Sequence, residues 1–402
     1  MIRPQRQAAL AQGGVLQVLS SLTAAGFGPT ANALPMVASL RRLGVPSICV
    51  GLRDDQPVPA GWEAEVVQLR RLGPRALHYA PGLSPWLHGR STLPAVVHVH
   101  GLWGMLHWQA MCWARRTGRP VVLKVAGMLG PVSLRRHALR KRLFRRVLLD
   151  RTLARVSCLQ AVSAKEAEGV RRSGLGNPIA VISNGVLPPE EAALCSARQE
   201  ARALNLPAGI EQYVLFLGRL HPRKGTAALV QAWRELAHAF PACGLVLAGP
   251  DQDGHRAQLE CLLARDGAAD RAWLPGLVTG PLKAALLAGC EALVLPSQSE
   301  GFSVAVIEAM AYARPVVISE ACNFPEVAQA GAGLICSTDP SALAKTLAGL
   351  LAAPEEQRRR MGVAGRRLVA ERYSWDKLAH TLRDVYLWLL GDGPRPDCVR
   401  MD

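Results

Sequence analysis

The chain has 402 residues, 50% of them apolar and 19% charged, which excludes a disordered protein and suffices for two or three domains with large cores. No uninterrupted apolar stretch reaches the roughly 18 residues of a membrane-spanning helix, and residues 1–30 lack the pattern of a secretory signal, so a cytosolic protein is expected. The net charge of +16 is unevenly distributed, because residues 1–208 carry 27 Lys and Arg against 10 Asp and Glu, which suggests that one lobe faces an anionic surface.

The first half of the chain has the pattern of a parallel α/β domain. After a polar extension at residues 1–13, expected to be flexible, an apolar strand at 15–22 leads to a turn that contains Gly26 and Gly28. A helical pattern at 31–43 and a second strand follow. This order of elements is typical of a nucleotide-binding unit, although the GxGxxG fingerprint is absent.

Two histidines lie near the carboxyl end of the next apolar strand, at residues 95–101. His98 and His100 alternate to the same face of this strand, and open α/β sheets bind ligands at the carboxyl ends of their strands. One of the two has the ordinary interpretation of a core histidine. We predict that His100, which is nearer to the strand end, is the functional one.

A long basic helix with a wide apolar side is predicted at residues 133–155. Residues 135–172 carry 12 basic and 3 acidic side chains. Because each Lys or Arg near an anionic leaflet gains about 1 kcal/mol, this helix is a candidate for binding a membrane surface. The alternative is a core-facing helix whose basic face is solvated.

The composition changes to Pro, Glu, Ala and Gln between residues 187 and 210, which indicates a linker. We therefore predict one Rossmann-like domain at 14–208 and a second at 209–373. An amphipathic C-terminal helix, predicted at 374–392, is expected to pack back on the first domain. The 10 cysteines are scattered singly, without a CxxC pair or the spacing of a zinc site, so we expect reduced cysteines and no metal.

The second domain opens with the strand YVLFLG, which ends at Gly218. Arg219 follows directly, and Lys224 precedes a glycine and a helix. A guanidinium and an ammonium on one strand-to-helix connection suit a diphosphate, the first through bidentate bonds and the second as a point charge. The alternative is a pair of surface cations around a turn, and a Walker loop is absent.

A second candidate site lies in SQSEGFSVAVIEAM, which begins at Ser297 after an apolar strand. Gly301 lets the backbone approach a ligand, and Ser303 is a good N-cap for the helix that follows. The free amides and the positive dipole end of this helix suit a phosphate. Glu300 precedes the helix, and Glu308 within it is placed to accept hydrogen bonds from a sugar or ribose hydroxyl. The alternative is a capped core helix with two solvated acids.

Together, GRLHPRKG and SEGFSVAVIEAM resemble the motifs of the retaining glycosyltransferases of family 4, also called group 1. The resemblance extends over nearly the whole chain, and Glu300 and Glu308 match the family's E-x7-E element. It implies an α/β protein with the GT-B fold, in which two Rossmann-like doubly wound domains face each other across a cleft. The first domain would bind the acceptor and the second the nucleotide sugar.

The resemblance also implies a role for each candidate residue. Arg219 and Lys224 would bind the donor's diphosphate and stabilise the leaving group. Glu300 would hold hydroxyls of the donor sugar, Glu308 would bind the ribose, and His100 would face donor and acceptor. The other donor-binding residues expected are Gly218, Gly301, Phe302, Ser303, Val304, the turn at Gly26 and Gly28, and Val278, which ends a short strand and would contact the base through its backbone.

The implied chemistry needs neither an activated nucleophile nor a metal. The acceptor hydroxyl attacks from the face that the nucleoside diphosphate leaves, and built-in cations stabilise the departing phosphate. No cofactor is expected besides the donor, UDP- or GDP-linked. HGLW, GML and SNGV also resemble members that build cell-surface polysaccharides on lipid carriers. We therefore expect a saccharide or lipid-linked acceptor, no specific nucleic acid, and a cytoplasmic enzyme with residues 133–155 on the inner membrane surface.

The chain departs from the family pattern at Ala126 and, more mildly, at Ser303, and alternatives stay open. Many relatives have His or Arg where this chain has Ala126, and many have Gly in place of Ser303. A basic membrane or nucleic-acid adaptor that has lost activity, a nucleotide-sugar epimerase or a phosphorylase would share the fold, although the chain is short for a phosphorylase. A glycosidase needs carboxylates about 5 to 10 Å apart, whereas helical spacing would separate Glu300 and Glu308 by about 12 Å.

Overall fold

The computed structural model of the chain describes residues 3–23, 27–74, 77–129, 144–264 and 268–401. The chain divides into two compact units. The first consists of Met1–Gly185 together with Trp375–Asp402, and the second of Val186–Ser374. Each unit is built around a mainly parallel sheet whose strands alternate with helices, which confirms the predicted α/β class.

The first unit contains an eight-stranded sheet. Its strands are β1 (Val15–Ser21), β2 (Ser47–Leu52), β3 (Glu65–Leu69), β4 (Val96–His100), β5 (Val121–Lys124), β6 (Cys158–Ala161), β7 (Ile179–Val181) and β14 (Val399–Arg400). They follow the order β14-β7-β6-β5-β4-β1-β2-β3, and β14 runs antiparallel to β7. Most of these strands are buried on both faces, which is why they appear in the sequence as continuous apolar runs.

The helices of the first unit cover this sheet. They are α1 (Arg3–Gly13), α2 (Phe27–Arg42), α3 (Leu83–His88), α4 (Met105–Arg116), α5 (Asp150–Leu153), α6 (Ala164–Arg172) and α15 (Trp375–Leu389), with a π-helical turn at Arg145–Leu149. Residues 1–13, predicted to be a flexible extension, thus include a helix. Leu10 is buried in the same apolar cluster as Trp375, and this burial gives α1 a place to pack.

The C-terminal helix α15 belongs to the first unit, where it packs against α2. Trp375 and Leu382 are fully buried. Tyr386 is buried as well, and its hydroxyl forms a 2.7 Å hydrogen bond with Nδ1 of His98. The helix is therefore attached to the first unit by apolar burial and by the buried hydrogen bond of Tyr386 with His98.

The second unit contains a six-stranded parallel sheet. Its strands are β8 (Gln212–Leu217), β9 (Cys243–Ala248), β10 (Ala272–Gly276), β11 (Ala292–Leu295), β12 (Val316–Ser319) and β13 (Gly333–Cys336), in the order β10-β9-β8-β11-β12-β13. The central pair, β8 and β11, precedes the two sequence motifs that predict a donor site. Both motifs therefore leave the sheet at the same edge.

Helices flank the second sheet. They are α7 (Glu191–Arg202), α8 (Thr226–Leu236), α9 (His255–Leu263), α10 (Gly280–Gly289), α11 (Val304–Ala311), α12 (Glu326–Gln329), α13 (Pro340–Ala352) and α14 (Glu355–Leu368). The sequence predicts a domain boundary at 208/209, whereas the two units divide between Gly185 and Val186. The difference arises because α7 is not a linker: Leu194 and Ala197 are buried, and the helix packs against α10.

Residues 133–143, about half of the predicted basic helix, lie outside the described residues. Its described end consists of the π-helical turn and α5, in which Leu149 and Leu153 are buried. Within the described ranges, no helix combines the length and apolar character needed to cross a membrane. Nor does the described part of the chain bring together three or more His, Cys, Asp or Glu side chains as a metal-binding group.

Candidate functional site

Two segments of the second unit meet beyond the carboxyl ends of β8 and β11. Gly225 has a φ of +71°, and a Cβ atom placed on it would lie only 1.9 Å from the carbonyl oxygen of Pro296. The amide of Gln298 donates a 2.9 Å hydrogen bond to the carbonyl of Arg223. Glycine at position 225 thus allows the segment that carries Lys224 to lie directly against the segment that carries Glu300.

Lys224 and Glu300 form an ion pair at this junction. The ammonium contacts Oε1 of Glu300, and the Ser297 hydroxyl donates a 2.8 Å hydrogen bond to the same oxygen. The side chains are 22% and 11% exposed, respectively, so bulk water screens the pair only partly. Among the described residues, Oε2 of Glu300 has no partner, which leaves it able to accept a hydrogen bond from a ligand hydroxyl.

Helix α11 begins beside this ion pair. Ser303 occupies the N-cap position, but its hydroxyl forms no capping hydrogen bond. The first amides of the helix are consequently not satisfied by the cap, and they present the partial positive charge of a helix start. Gly301 is exposed, whereas Phe302 packs against Phe324 and Tyr373 with ring centroids 5.2 and 5.5 Å apart.

Arg219 extends from the end of β8, and its side chain is exposed. Its Nη1 donates a 2.8 Å hydrogen bond to Oε1 of Gln252, and no contact with Glu300 is seen among the described residues. The backbone at the end of β8 lies directly against the backbone at the end of β9. A Cβ atom placed on Gly249 would lie only 1.8 Å from the carbonyl oxygen of Gly218. The structure therefore places Arg219 at the same sheet edge as Lys224, but with a different partner.

Glu308 has a partner that the sequence does not reveal. Nζ of Lys283, on α10, lies 2.7 Å from its Oε1, and both side chains are partly exposed. Val278 is buried in the connection between β10 and α10, and Val304 opens α11. Neither Lys283 nor Gln252 belongs to a recognisable motif, and their proximity to the site follows from the arrangement of the helices and strands.

The first-unit candidates have a different environment. His100 is buried, and its Nε2 forms a 2.8 Å hydrogen bond with Oε1 of Gln17. Its ring stacks on His98 with centroids 4.2 Å apart. Burial holds the pKa of His100 well below its usual value, and the neighbouring His98 and Lys124 add to this effect. Both histidines therefore have the core environment that the sequence assigns to only one of them.

Of the predicted glycine turn, the structure describes only Gly28, and Gly28 does not lie in a turn. Gly26 lies outside the described residues, and Gly28 lies inside helix α2, with no atoms close to the position of an added Cβ. Helix α2 also contacts a buried cation. Nζ of Lys124 donates a 3.0 Å hydrogen bond to Oδ1 of Asn32, on α2. Burial lowers the pKa of Lys124 to about 8, although Glu166 opposes the shift. Ala126, next to this strand end, has a φ of +48°.

Two regions of the chain match known families of proteins. Residues 27–185 match the family described as "Glycosyl transferase 4-like domain". Residues 197–368 match the family described as "Glycosyl transferases group 1". The matches therefore include a large part of each structural unit.

Individual relatives and solved structures are similar to this chain. A D-inositol 3-phosphate glycosyltransferase of Segniliparus rotundus is 33% identical over 190 residues, which cover 46% of this chain and only 41% of that protein. Sucrose-phosphate synthase of Thermosynechococcus elongatus superposes with a TM-score of 0.75 at 21% identity, over 94% of this chain and 99% of that one. HepE of Anabaena in complex with UDP and glucose superposes with a TM-score of 0.70 at 17% identity, over 92% and 98%.

The structural likenesses extend over nearly the whole chain, and they identify the two Rossmann-like units as those of the GT-B fold. One family match lies in the first unit and the other lies in the second. The chain therefore belongs to the group 1 glycosyl transferases of family 4.

Proposed function

We propose that this glycosyltransferase moves a sugar from a nucleotide sugar to an acceptor hydroxyl with retention of the anomeric configuration. The observation that carries the proposal is the ion pair of Lys224 and Glu300 beside the start of α11. It combines a cation, a carboxylate with one unpaired oxygen and a set of helix amides within one small region. A sugar diphosphate carries the two groups that such a region binds, namely hydroxyls and phosphate oxygens.

In the proposed mechanism, this part of the chain acts mainly on the leaving group. The ammonium of Lys224 and the first amides of α11 bind the diphosphate, and the exposed guanidinium of Arg219 turns towards it from Gln252 when the donor arrives. Negative charge builds on the diphosphate as the glycosidic bond breaks, and positive groups fixed in advance lower that barrier. These cations supply the stabilisation that a divalent metal supplies elsewhere, so we propose a metal-independent reaction without a further cofactor.

The two carboxylates have separate tasks in this proposal. Glu300 accepts hydrogen bonds from donor-sugar hydroxyls through Oε2, while Glu308 binds the ribose at the Lys283 side of the helix. Each carboxylate forms its own ion pair with a different lysine. A glycosidase needs two carboxyl groups that face each other across the bond, and one of them must stay protonated to act as the acid. Two carboxylates that pair with separate lysines do not form such an arrangement.

A panel of nucleotide sugars tests the donor assignment. The HepE complex contains UDP and glucose, and we propose a UDP- or GDP-linked donor for this chain. With EDTA present, one such donor at 100 times its dissociation constant is expected to stabilise the fold by about 2.7 kcal/mol, measured as a rise in the melting temperature. The Lys224→Met variant should lose this rise. Equal stabilisation by every nucleotide sugar and by inorganic phosphate would contradict a specific donor site.

We also propose a saccharide or lipid-linked acceptor in cell-surface polysaccharide synthesis, reached at the inner face of the membrane. The relative from Segniliparus rotundus is named for D-inositol 3-phosphate, whereas the motifs HGLW and SNGV resemble those of enzymes that build cell-surface polysaccharides on lipid carriers. The charge of residues 135–172, with 12 basic and 3 acidic side chains, favours an anionic surface.

The membrane proposal predicts that the purified chain sediments with anionic phospholipid vesicles at low ionic strength. High salt is expected to release it, because screening weakens the attraction between exposed charges. Replacing Arg140, Lys141 and Arg142 together by Gln should reduce the bound fraction severalfold, whereas the same number of Gln substitutions at Arg359, Arg360 and Arg367 in the second unit should not. A chain that stays in the supernatant at low salt would contradict the proposal.

A further inference from the structure

A neighbouring turn in the second unit, residues 319–323, contacts the segment that carries Glu300. This turn begins at Ser319, the last residue of β12, and β12 pairs in parallel with β11. Residues 296–303, between β11 and α11, form neither helix nor strand, so their position depends on individual hydrogen bonds. The 319–323 turn supplies several of these bonds.

The turn contacts the 296–303 segment and the strand end before it. The hydroxyl of Ser319 donates to the carbonyl of Ser297, and Sγ of Cys322 lies 3.4 Å from the carbonyl oxygen of Leu295. Further along, the amide of Glu300 donates a 3.1 Å hydrogen bond to the carbonyl of Ala321. The segment is thus held against the turn at its beginning and at Glu300.

Asn323 completes this arrangement. Its Nδ2 donates to the carbonyl of Glu300 at 3.1 Å and to the carbonyl of Ala321 at 2.8 Å. The turn therefore binds both the backbone amide and the backbone carbonyl of Glu300. Fixing both groups fixes the Cα position of Glu300, from which its carboxylate reaches Lys224 and Ser297.

The conformation of Asn323 explains why an asparagine suits this position. Its backbone is left-handed, with φ of 52° and ψ of 47°. Asparagine tolerates this conformation better than most residues with a side chain, and its amide can donate two hydrogen bonds. Glycine would accept the same backbone but would supply no donor, so the two properties can be separated by substitution.

We propose that Asn323 is a positioning residue of the donor site, which acts by holding the backbone of Glu300. The inference rests on the proposed function, since it assigns Asn323 to the site in which Glu300 binds the donor sugar. Asn323 does not itself need to touch the donor. Asn323 acts through the 296–303 segment, which contains Glu300 and leads into helix α11.

The test compares Asn323→Gly with a matched control, Asn177→Ala. Asn177, in the first unit, also donates from its amide to two backbone carbonyls, those of Leu153 and Val156, at 2.9 and 2.8 Å. We expect Asn323→Gly to lower kcat/KM for the nucleotide sugar about tenfold, with at most a small change in melting temperature. The control should lower the melting temperature and leave the kinetic constants unchanged. Asn323→Asp, which tolerates the same backbone but donates nothing, should behave like the glycine variant.

Hydrogen exchange distinguishes failure of this inference from failure of the proposed function. In Asn323→Gly, peptides that cover residues 296–303 are expected to exchange several times faster than in the wild type, and the Asn177→Ala control should show no change there. Wild-type transfer rates in Asn323→Gly, alongside inactive Glu300→Gln, would overturn the role of Asn323 while the proposed function stands. If the wild type transfers no sugar from any donor, the proposed function fails, and unchanged exchange of residues 296–303 would overturn the positioning role as well.

Discussion

Replacing Glu300 by Gln is expected to lower kcat/KM for the nucleotide sugar by about 10³-fold, equivalent to about 4 kcal/mol of lost transition-state stabilisation. The amide has nearly the shape of the carboxylate, but it cannot pair with the ammonium of Lys224 as a charge. It also replaces one acceptor oxygen by a donor, so the sugar hydroxyls lose a partner. Steady-state kinetics with saturating acceptor would measure the loss, and the melting temperature should stay within a few degrees of the wild type.

Glu291→Gln is the matched control for this prediction. Glu291 lies in the same unit, is 18% exposed and pairs with Arg358 at 2.9 Å, but it precedes β11 and therefore lies at the opposite edge of the sheet. The control should alter stability and leave catalysis intact. If both variants retained wild-type kinetics, Glu300 would have no role in transfer. If Glu291→Gln alone lost activity, the site would have to be sought at the other sheet edge.

The contact between Lys224 and Glu300 was only partly predictable from sequence. Each residue follows an apolar strand and precedes a helix, which is the pattern of ligand-binding residues in open parallel sheets. The adjacency of β8 and β11 depends on strand order, and strand order is decided by the packing of helices in between. The contact of Gly225 with Pro296 likewise depends on tertiary structure, because a glycine before a helix has many other uses.

The partners of the other site residues could not be predicted. Gln252 and Lys283 contact Arg219 and Glu308 across long sequence separations, and neither belongs to a periodic pattern or a motif. His100 presents a related difficulty. A strand that is buried on both faces has the same sequence pattern whether its histidine lies in a core or in a cleft. The burial of His100 and its contacts with Gln17 and His98 are visible only in the structure.

The fold class follows from the sequence more readily than its boundaries do. Alternating apolar strands and amphipathic helices identify two α/β units, since burial on both faces and helical spacing leave distinct patterns. Helix α7 has a polar composition typical of a linker, yet Leu194 and Ala197 are spaced to bury one narrow face. Helix α1 is still less visible, because its buried Leu10 packs in a cluster that includes residues of α15, from the far end of the chain.

Replacing Gly225 by Ala is expected to destabilise the second unit by about 3 kcal/mol. A left-handed backbone costs a residue with a Cβ atom about 1 kcal/mol, and forcing extra volume into a packed region costs about 1 to 3 kcal/mol. The atoms that the new methyl group meets, the carbonyl oxygen and carbon of Pro296 at 1.9 and 2.8 Å, belong to the backbone and cannot rotate away. Chemical denaturation would measure the loss of stability. Transfer should fall as well, because relief of the clash separates Lys224 from Glu300.

Gly254→Ala isolates the contribution of the contact with Pro296. Gly254 precedes helix α9 with φ of 75° and ψ of 17°, nearly the values of 71° and 16° at Gly225, but no atom lies within 4 Å of its added Cβ. Both variants therefore incur the same backbone strain, about 1 kcal/mol, and only Gly225→Ala incurs the clash. Equal destabilisation by the two would mean that the segments around Gly225 and Pro296 do not touch. The ion pair of Lys224 with Glu300 would then lack its structural support, and with it the arrangement from which donor binding is proposed.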